Sequence, residues 1–432
     1  MPRLPLLLFC GFLMPAAVCA DNLELWNLHG QTTLIPQAHA PFHSPYSGPN
    51  SLANDFDAQM TFTATVFSGL RLWHGAALYF DPEATAGSGM SGGLGLAGVP
   101  NDEGARVGTR ALRIAMARLF IRQTIGFGGT TTPLEDSANQ LAFVQDSRRV
   151  TLTFGKLSAT DIFDNNQYSH DPRMQFMNWG LTTNAAWDYP ADTRGYTWGA
   201  ATEFTWDAWS WRGGGFLEPQ EANGSHLEDD PTKENGEVTE LEHDHEISGH
   251  PGAVRLLAFW NNADMGHYRT ALNLSPINPD ITQTRETGSR KYGFGFNAEQ
   301  EITTVLGGFM RLGWDDGHTE TWAFDEVDRT ASAGAVLKGR KWNRLNDNVG
   351  LAALVNALSP DHRAYLAAGG DGFLLGDGHL NYGTENILET YYAARIINHL
   401  TLTFDFQEIF HPGYNIDRGP VSVGAVRLHL EF

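Results

Sequence analysis

The chain has 432 residues and a formal net charge of −21, so it offers no broad basic surface and is not expected to bind nucleic acid. Its two cysteines, Cys10 and Cys19, both lie within the first twenty residues, so the rest of the chain has no disulfide to rely on. No later segment reads as a membrane helix, which excludes a helical membrane protein and leaves a transmembrane β-barrel open, because alternating apolar residues keep its mean hydropathy low.

In chain order, "MPRLPLLLFCGFLMPAAVCA" comes first, with a positive charge at Arg3, an apolar run and small residues at Val18 and Ala20. This pattern predicts a signal peptide over residues 1–20, cleaved on export, and a single domain over residues 21–432. Period-two alternation then predicts strands at Leu25–Ile35, Ala58–Trp73, Ala76–Glu83, Leu112–Phe127 and Arg149–Ser158. The next are Thr193–Trp206, Ala208–Leu217, Glu237–Ile247, Gly252–Asn261, Ser289–Ile302 and Thr304–Asp315. Thr330–Gly339, Asp347–Ala357, Asn386–Ile397, His399–Phe410 and Pro420–Phe432 complete a set of about sixteen, an even number.

The faces of these strands differ in a consistent way. In "HLTLTFDFQ", Leu400, Leu402, Phe404 and Phe406 oppose Thr401, Thr403, Asp405 and Gln407. In the last strand, Val426, Leu428, Leu430 and Phe432 oppose Arg427, His429 and Glu431. Short links such as Trp73–Ala76 alternate with long ones such as Ala84–Ala111, Ala159–Asp192 and Leu358–Glu385, with one break at Gly128–Arg148. Tight turns on one side and long loops on the other predict an all-β fold. This is an antiparallel up-and-down transmembrane barrel with short periplasmic turns and long extracellular loops, closed so that no strand edge is left unpaired in lipid. The expected location is the outer membrane of a Gram-negative bacterium.

Several stretches, in order, resemble the carbohydrate-selective outer-membrane porin family of OprB type. They include "HGQTTLI", "PFHSPYSGPNSL", "GLRLWHGAALYFDPE", "ARLFIRQTIGFGG", "LTFGKLSATDIFDNNQYSHDPRMQFMNWGL", "AAWDYPADTRGYTWGAATEF" and "DRGPVSVGAVRLHLEF". The resemblance implies a sixteen-stranded pore that passes small carbohydrates by passive diffusion, without a covalent step or a cofactor. It also implies that the connection 159–192 folds into the pore, with His170, Asp171, Arg173, Asn178 and Trp179 available there; a loop that merely covers the mouth is the alternative. Phe432, an aromatic on an amphipathic final strand, is similar to the signal read by outer-membrane assembly machinery.

A sugar pore needs hydrogen-bonding groups, aromatic faces and a constriction. Strand parity turns Arg71, Arg118, Arg122, Arg311, Arg395 and Arg427 inward, and a guanidinium supplies several donors to a polyol. Such arginines serve equally well to stiffen the lumen by pairing with acids. The expected ladder across the narrowest part is Arg71, Arg122 and Arg173, with Glu83 or Asp171 as acceptors and Arg427 near the rim. Alternatives are a less selective pore for small polar solutes or organic acids, and a plugged structural or adhesive barrel. An enzyme is not expected, because no nucleophile with an ordered base is evident. No metal is expected either, since His243 and His245 share a face but lack further converging ligands. The apolar outer surface suits lipid and a second copy of the chain alike, which leaves monomer and homo-oligomer open.

Overall fold

The computed structural model describes residues 24–106, 109–324 and 326–432. The expected signal peptide lies outside the described residues. The barrel strands are β1 Trp26–His39, β2 Asp57–Trp73, β3 Ala76–Gly87, β4 Arg113–Gly126, β7 Arg148–Leu157, β8 Thr197–Trp206, β9 Trp209–Leu217 and β10 Asn235–Ile247. They continue with β11 His250–Ala263, β12 Ser289–Thr303, β13 Leu306–Asp315, β14 Arg329–Lys338, β15 Asn348–Ala357, β16 Glu385–Ile397, β17 Leu400–Phe410 and β18 Val421–Glu431. Each pairs antiparallel with its sequence neighbour in the barrel, and β1 closes on β18 with Thr32 opposite Leu430 and Leu34 opposite Leu428. Sixteen strands therefore form one closed antiparallel barrel, as the alternation predicts.

Parity decides which medium each side chain meets. On β18, Val421, Val423, Ala425, Arg427 and His429 are buried inward, while Leu428 and Phe432 are exposed outward. The outer wall carries Leu70, Phe154, Phe294, Leu312, Leu351 and Phe404, all exposed in the isolated chain and so placed for lipid. Aromatics gather at both ends of this belt. Trp73, Trp206 and Trp209 sit at the tight turns, and Tyr292, Phe294 and Trp314 touch one another near the long-loop rim, with ring centres 5.8 to 6.4 Å apart. His243 belongs to the first girdle, with its ring stacked on Trp209 at 4.2 Å, while His245 bonds Gln300 at 3.0 Å. Among the described residues no helix is long and apolar enough to cross a membrane.

The break at Gly128–Arg148 has a structural cause. This link joins β4 to β7 at the tight-turn end and contains a two-stranded hairpin, β5 Thr131–Leu134 and β6 Phe143–Asp146, outside the barrel sheet. Elsewhere that end is short. The β10–β11 link has Ser248 at φ 55° and Gly249 at φ 80°, as a two-residue primed turn requires. At the other end, α2 Tyr268–Leu274 and α3 Pro360–Ala367 pack over the mouth, with Tyr268 stacked on His362 at 4.3 Å.

Candidate functional site

The connection from β7 to β8 lies against the inner wall, held by buried polar side chains. It begins with a turn at Ala159–Asp161 and bends sharply at Asp164, whose φ of 57° a short polar side chain tolerates. The Asp164 carboxylate accepts the Asn184 amide at 2.7 Å and Asn297 Nδ2 at 2.7 Å, and it pairs with Arg311 at 3.0 Å. Arg311, on β13, is fully buried and donates to the carbonyls of Leu181 at 2.7 Å, Ser169 at 2.8 Å and Asp164 at 3.1 Å. Glu389 on β16 accepts the amides of Met177 at 2.5 Å and Asn178 at 3.0 Å. On β18, Arg427 donates to Pro172 O at 2.5 Å and lies 3.3 Å from Asp405. Removing one partner of such a buried ionic clamp costs about 3–5 kcal/mol.

A second loop, between β3 and β4, folds inward beside the first. Glu385 accepts the Gly98 amide at 2.7 Å, Asn178 Nδ2 reaches Gly98 O at 3.0 Å, and Val99 O accepts the Trp179 amide at 2.9 Å. Trp179 opens the short helix α1 Trp179–Thr182 and is nearly buried, its ring 4.5 Å from Phe324 and 6.0 Å from Tyr189. Trp179, Phe324 and the glycines of the second loop line a vestibule of about 360 Å³ on the long-loop side.

Together the two loops leave a charged ring beside β1, β3, β4, β7 and β8. Arg173 lies 3.0 Å from Glu103 and 3.7 Å from Glu83, and the Gln31 carboxamide is 3.0 Å from the same guanidinium. Glu83 accepts Thr65 Oγ1 at 2.9 Å and Tyr196 Oη at 3.1 Å. A β-bulge at Asp81–Pro82 sets Arg118 opposite Asp81, with 3.8 Å between their charged groups. Arg118 forks onto Asp161 at 2.7 and 2.6 Å and lies 5.3 Å over the Tyr196 ring. Lys156 is 3.9 Å from Asp192 and 6.0 Å from the same ring. Burial acts to raise the Asp161 carboxyl, but the Arg118 charge outweighs it and holds it below the usual carboxylate range. Burial raises Asp192, with Lys156 opposing. His170 lies behind the ring, its ionisation lowered by burial and by the Arg311 charge, and Asp171 caps the turn by accepting the Arg173 amide at 2.9 Å.

The sequence-derived residues therefore separate into three groups. Arg173, Glu83 and Arg118 share the ring, while Arg71 and Arg122 do not. These two stand at the tight-turn end against the β5–β6 hairpin, where Arg71 donates to Ala142 O at 3.1 Å and Arg122 to Asn139 O at 3.0 Å. Three expectations change outright. Arg311 is a buried loop clamp with no face to the pore, because a guanidinium there satisfies three loop carbonyls at once. Arg427 is likewise fully buried in mid-lumen and not at the rim. Arg395, in contrast, lies at the tight-turn rim, bonded to Glu431 at 2.7 Å and to Asn398 O at 2.7 Å. Asp81, Glu103, Lys156, Asp161, Asp192 and Tyr196 were not singled out from sequence. Inward parity signals only Asp81; Lys156 shares the parity of the outward Leu152 and Phe154 on β7, and the rest come from loops.

A closed sixteen-stranded barrel with an apolar belt, two aromatic girdles and a polar lumen narrowed by infolded loops has the channel-type architecture of a porin of the Gram-negative outer membrane. No curated protein sequence matches the chain. The carbohydrate-selective porin, OprB family, model matches residues 49–432, and the chain belongs to that family. The fold is similar to the high-pH structure of Pseudomonas putida OprB, with a TM-score of 0.70 and 16% identity over 94% of both chains. The low-pH structure of the same protein gives 0.50 and 14% over 94% and 93%, and the outer membrane channel DcaP of Acinetobacter baumannii gives 0.53 and 7% over 97% and 100%.

Proposed function

We propose that the chain passes small neutral sugars into the periplasm by passive diffusion, selected at the ring, where Arg173, Arg118 and Asp161 reach the lumen and are held by the buried Glu83, Glu103, Asp81 and Tyr196. The observation that carries this reading is the pairing inside the ring. Arg173 stands between two glutamates and Arg118 between two aspartates, around a single tyrosine ring. A hydroxyl both donates and accepts, so a solute rich in hydroxyls is matched by a lining that alternates guanidinium and carboxylate. Each hydrogen bond lost on leaving water and not replaced costs about 1–3 kcal/mol. Each guanidinium is already shared between two carboxylates, so a passing hydroxyl competes with them and binding stays weak enough for release.

Liposome swelling tests this. Glucose and maltose are expected to enter faster than neutral amino acids of similar size. Equal rates for all solutes would contradict selectivity, and no swelling would contradict an open pore. Assembly is a separate part of the proposal. Phe432 is exposed and exchanges backbone hydrogen bonds with Gly30 at 2.8 and 3.0 Å, and we read it as the signal for the outer-membrane assembly machinery. Phe432→Asp is expected to lower the amount of folded protein in the outer membrane far more than Glu431→Ala, as judged by the heat-modifiable band; equal amounts would remove this reading.

A further inference from the structure

The β5–β6 hairpin does more than lengthen a turn. Residues 135–142 return into the tight-turn end of the lumen. Leu141 is 1% exposed and its amide meets the Tyr79 hydroxyl at 3.3 Å, Asn139 Nδ2 reaches Asp81 at 2.8 Å, and Asn27 Nδ2 binds the carbonyls of Ser137 and Gln140 at 3.2 and 2.9 Å. Between this insertion and the wall is a cavity of about 140 Å³. That is room for several waters. Arg71, Arg122 and Arg149 all line it, together with Gln140, Gln145, Thr124, Thr151 and one acid, Glu203.

The three guanidiniums are unlike the others in the lumen. Arg212 pairs with Glu203, Glu240 and Glu242 at 2.9 to 3.0 Å, and Arg118, Arg173, Arg255 and Arg311 each meet a carboxylate. Arg71, Arg122 and Arg149 meet carbonyls instead: Glu24 O at 2.7 Å and Ala142 O at 3.1 Å for the first, Asn139 O at 3.0 Å for the second and Asp146 O at 3.1 Å for the third. Among the described residues no carboxylate lies within the 4.0 Å ion-pair distance of any of them. The nearby acids are engaged elsewhere. Glu203 pairs with Arg212, Asp146 accepts the Gly128 amide at 2.7 Å, Asp136 accepts from Asn27 at 2.6 Å, and Glu24 accepts the Ala142 amide. Most of the five N–H donors on each guanidinium remain unspent. The rings of Tyr79 and Phe120, 5.5 and 5.1 Å from Arg122, and of Phe143, 5.8 Å from Arg71, fix their orientation.

Three cations share this lining with a single acid, Glu203, which is itself paired with Arg212, so positive charge is in excess and an anion between the three would relieve their repulsion. We propose that this hairpin-closed cavity is a binding station for the anionic group, carboxylate or phosphate, of a small hydroxylated solute. Its place along the pore suits that use. Arg118 of the ring and Arg122 of the cavity lie on the same inward face of β4, four residues or about 13 Å apart along the strand. A sugar acid or sugar phosphate leaving the ring toward the periplasm would meet the station next. The proposal rests on the chain being a pore, but not on neutral sugars being its main cargo.

Planar-bilayer recordings on the folded full-length protein test it, with glucose, gluconate and glucose 6-phosphate as blockers. In the wild type, half-block by either anion is expected at a concentration at least fivefold below that of glucose. The double variant Arg122→Gln with Arg149→Gln is expected to raise the anion values at least fivefold and leave glucose within twofold. Arg122→Lys with Arg149→Lys keeps the charges while changing the same carbonyl contacts, and is expected to retain the anion preference to within threefold. Equal block by anions and glucose in the wild type, or an unchanged Gln pair, would overturn the station. So would a Lys pair that loses as much as the Gln pair, because the arginines would then only be packing the hairpin. Failure of glucose block alone would count against the ring and leave the station standing.

Discussion

Two inserted segments enter the lumen from opposite ends, and inward arginines meet both. At the long-loop end, the β7–β8 connection is held by Arg311 and Arg427, fully buried and spent on loop carbonyls and carboxylates. At the tight-turn end, the β5–β6 hairpin is met by Arg71, Arg122 and Arg149, which touch carbonyls but pair with no described carboxylate. The residue type and the strand parity are the same, yet the first group fixes a shape and the second keeps donors free. What separates them is the partner supplied by the inserted segment. A buried carboxylate such as Asp164 neutralises its arginine, whereas a carbonyl leaves most of the charge uncompensated.

The sharpest break of this contrast is Arg311→Ala. It strands the buried Asp164 and three carbonyls, with an expected loss of about 3–5 kcal/mol. The infolded loop should come away from the wall, raising small-ion conductance several-fold and making residues 159–192 sensitive to protease. Unchanged conductance would mean that the loop is held without its clamp. Arg427→Ala is expected to act in the same direction but less, because it serves one loop carbonyl.

Arg173→Ala comes next. It leaves the clamps in place and removes the central donor of the ring, so the half-blocking glucose concentration should rise about tenfold, the equivalent of 1.4 kcal/mol. Small-ion conductance should stay equal or rise. Glucose block equal to wild type would move recognition away from the ring.

The mouth provides the mildest test. His362 on α3 lies 3.1 Å from Asp328 and 3.7 Å from Glu326. Burial acts to lower its ionisation, but the Asp328 charge outweighs it, and the group is held up to about 9. A histidine raised above its unfolded value near 6.5 contributes stability that is fully present below that pH and lost as pH rises through about 9. Proteolytic nicking of the α2 and α3 segments should therefore increase above pH 9. His362→Gln should be nicked faster at pH 7 and show little further change, while glucose block remains as in the wild type.

Much of the barrel was legible because each strand separates two media. "HLTLTFDFQ" and "VSVGAVRLHLEF" declare their faces residue by residue, and all sixteen barrel strands lie close to their expected positions. The hairpin was not legible. Its strands are only four residues long, and "TTPL" contains Pro133, which argues against a strand. Parity also gave direction without depth. Arg311, Arg395 and Arg427 all turn inward, but one clamps the loop from β13, one sits at the rim and one holds Pro172. Those roles depend on partners far along the chain. Asp164 is 147 residues from Arg311, and no local pattern couples them. Glu103 and Asp161 were missed for the same reason, since they reach the ring from loops that carry no periodicity, while Tyr196 lies just before β8, in a stretch the alternation assigned to the strand.

The most direct measurement of the central claim is the current through single folded molecules in a planar bilayer as glucose is added. We predict a steady open current that falls in a saturable manner with glucose in the wild type and falls far less in Arg173→Ala. A closed wild type, or an open current indifferent to glucose, would contradict the account.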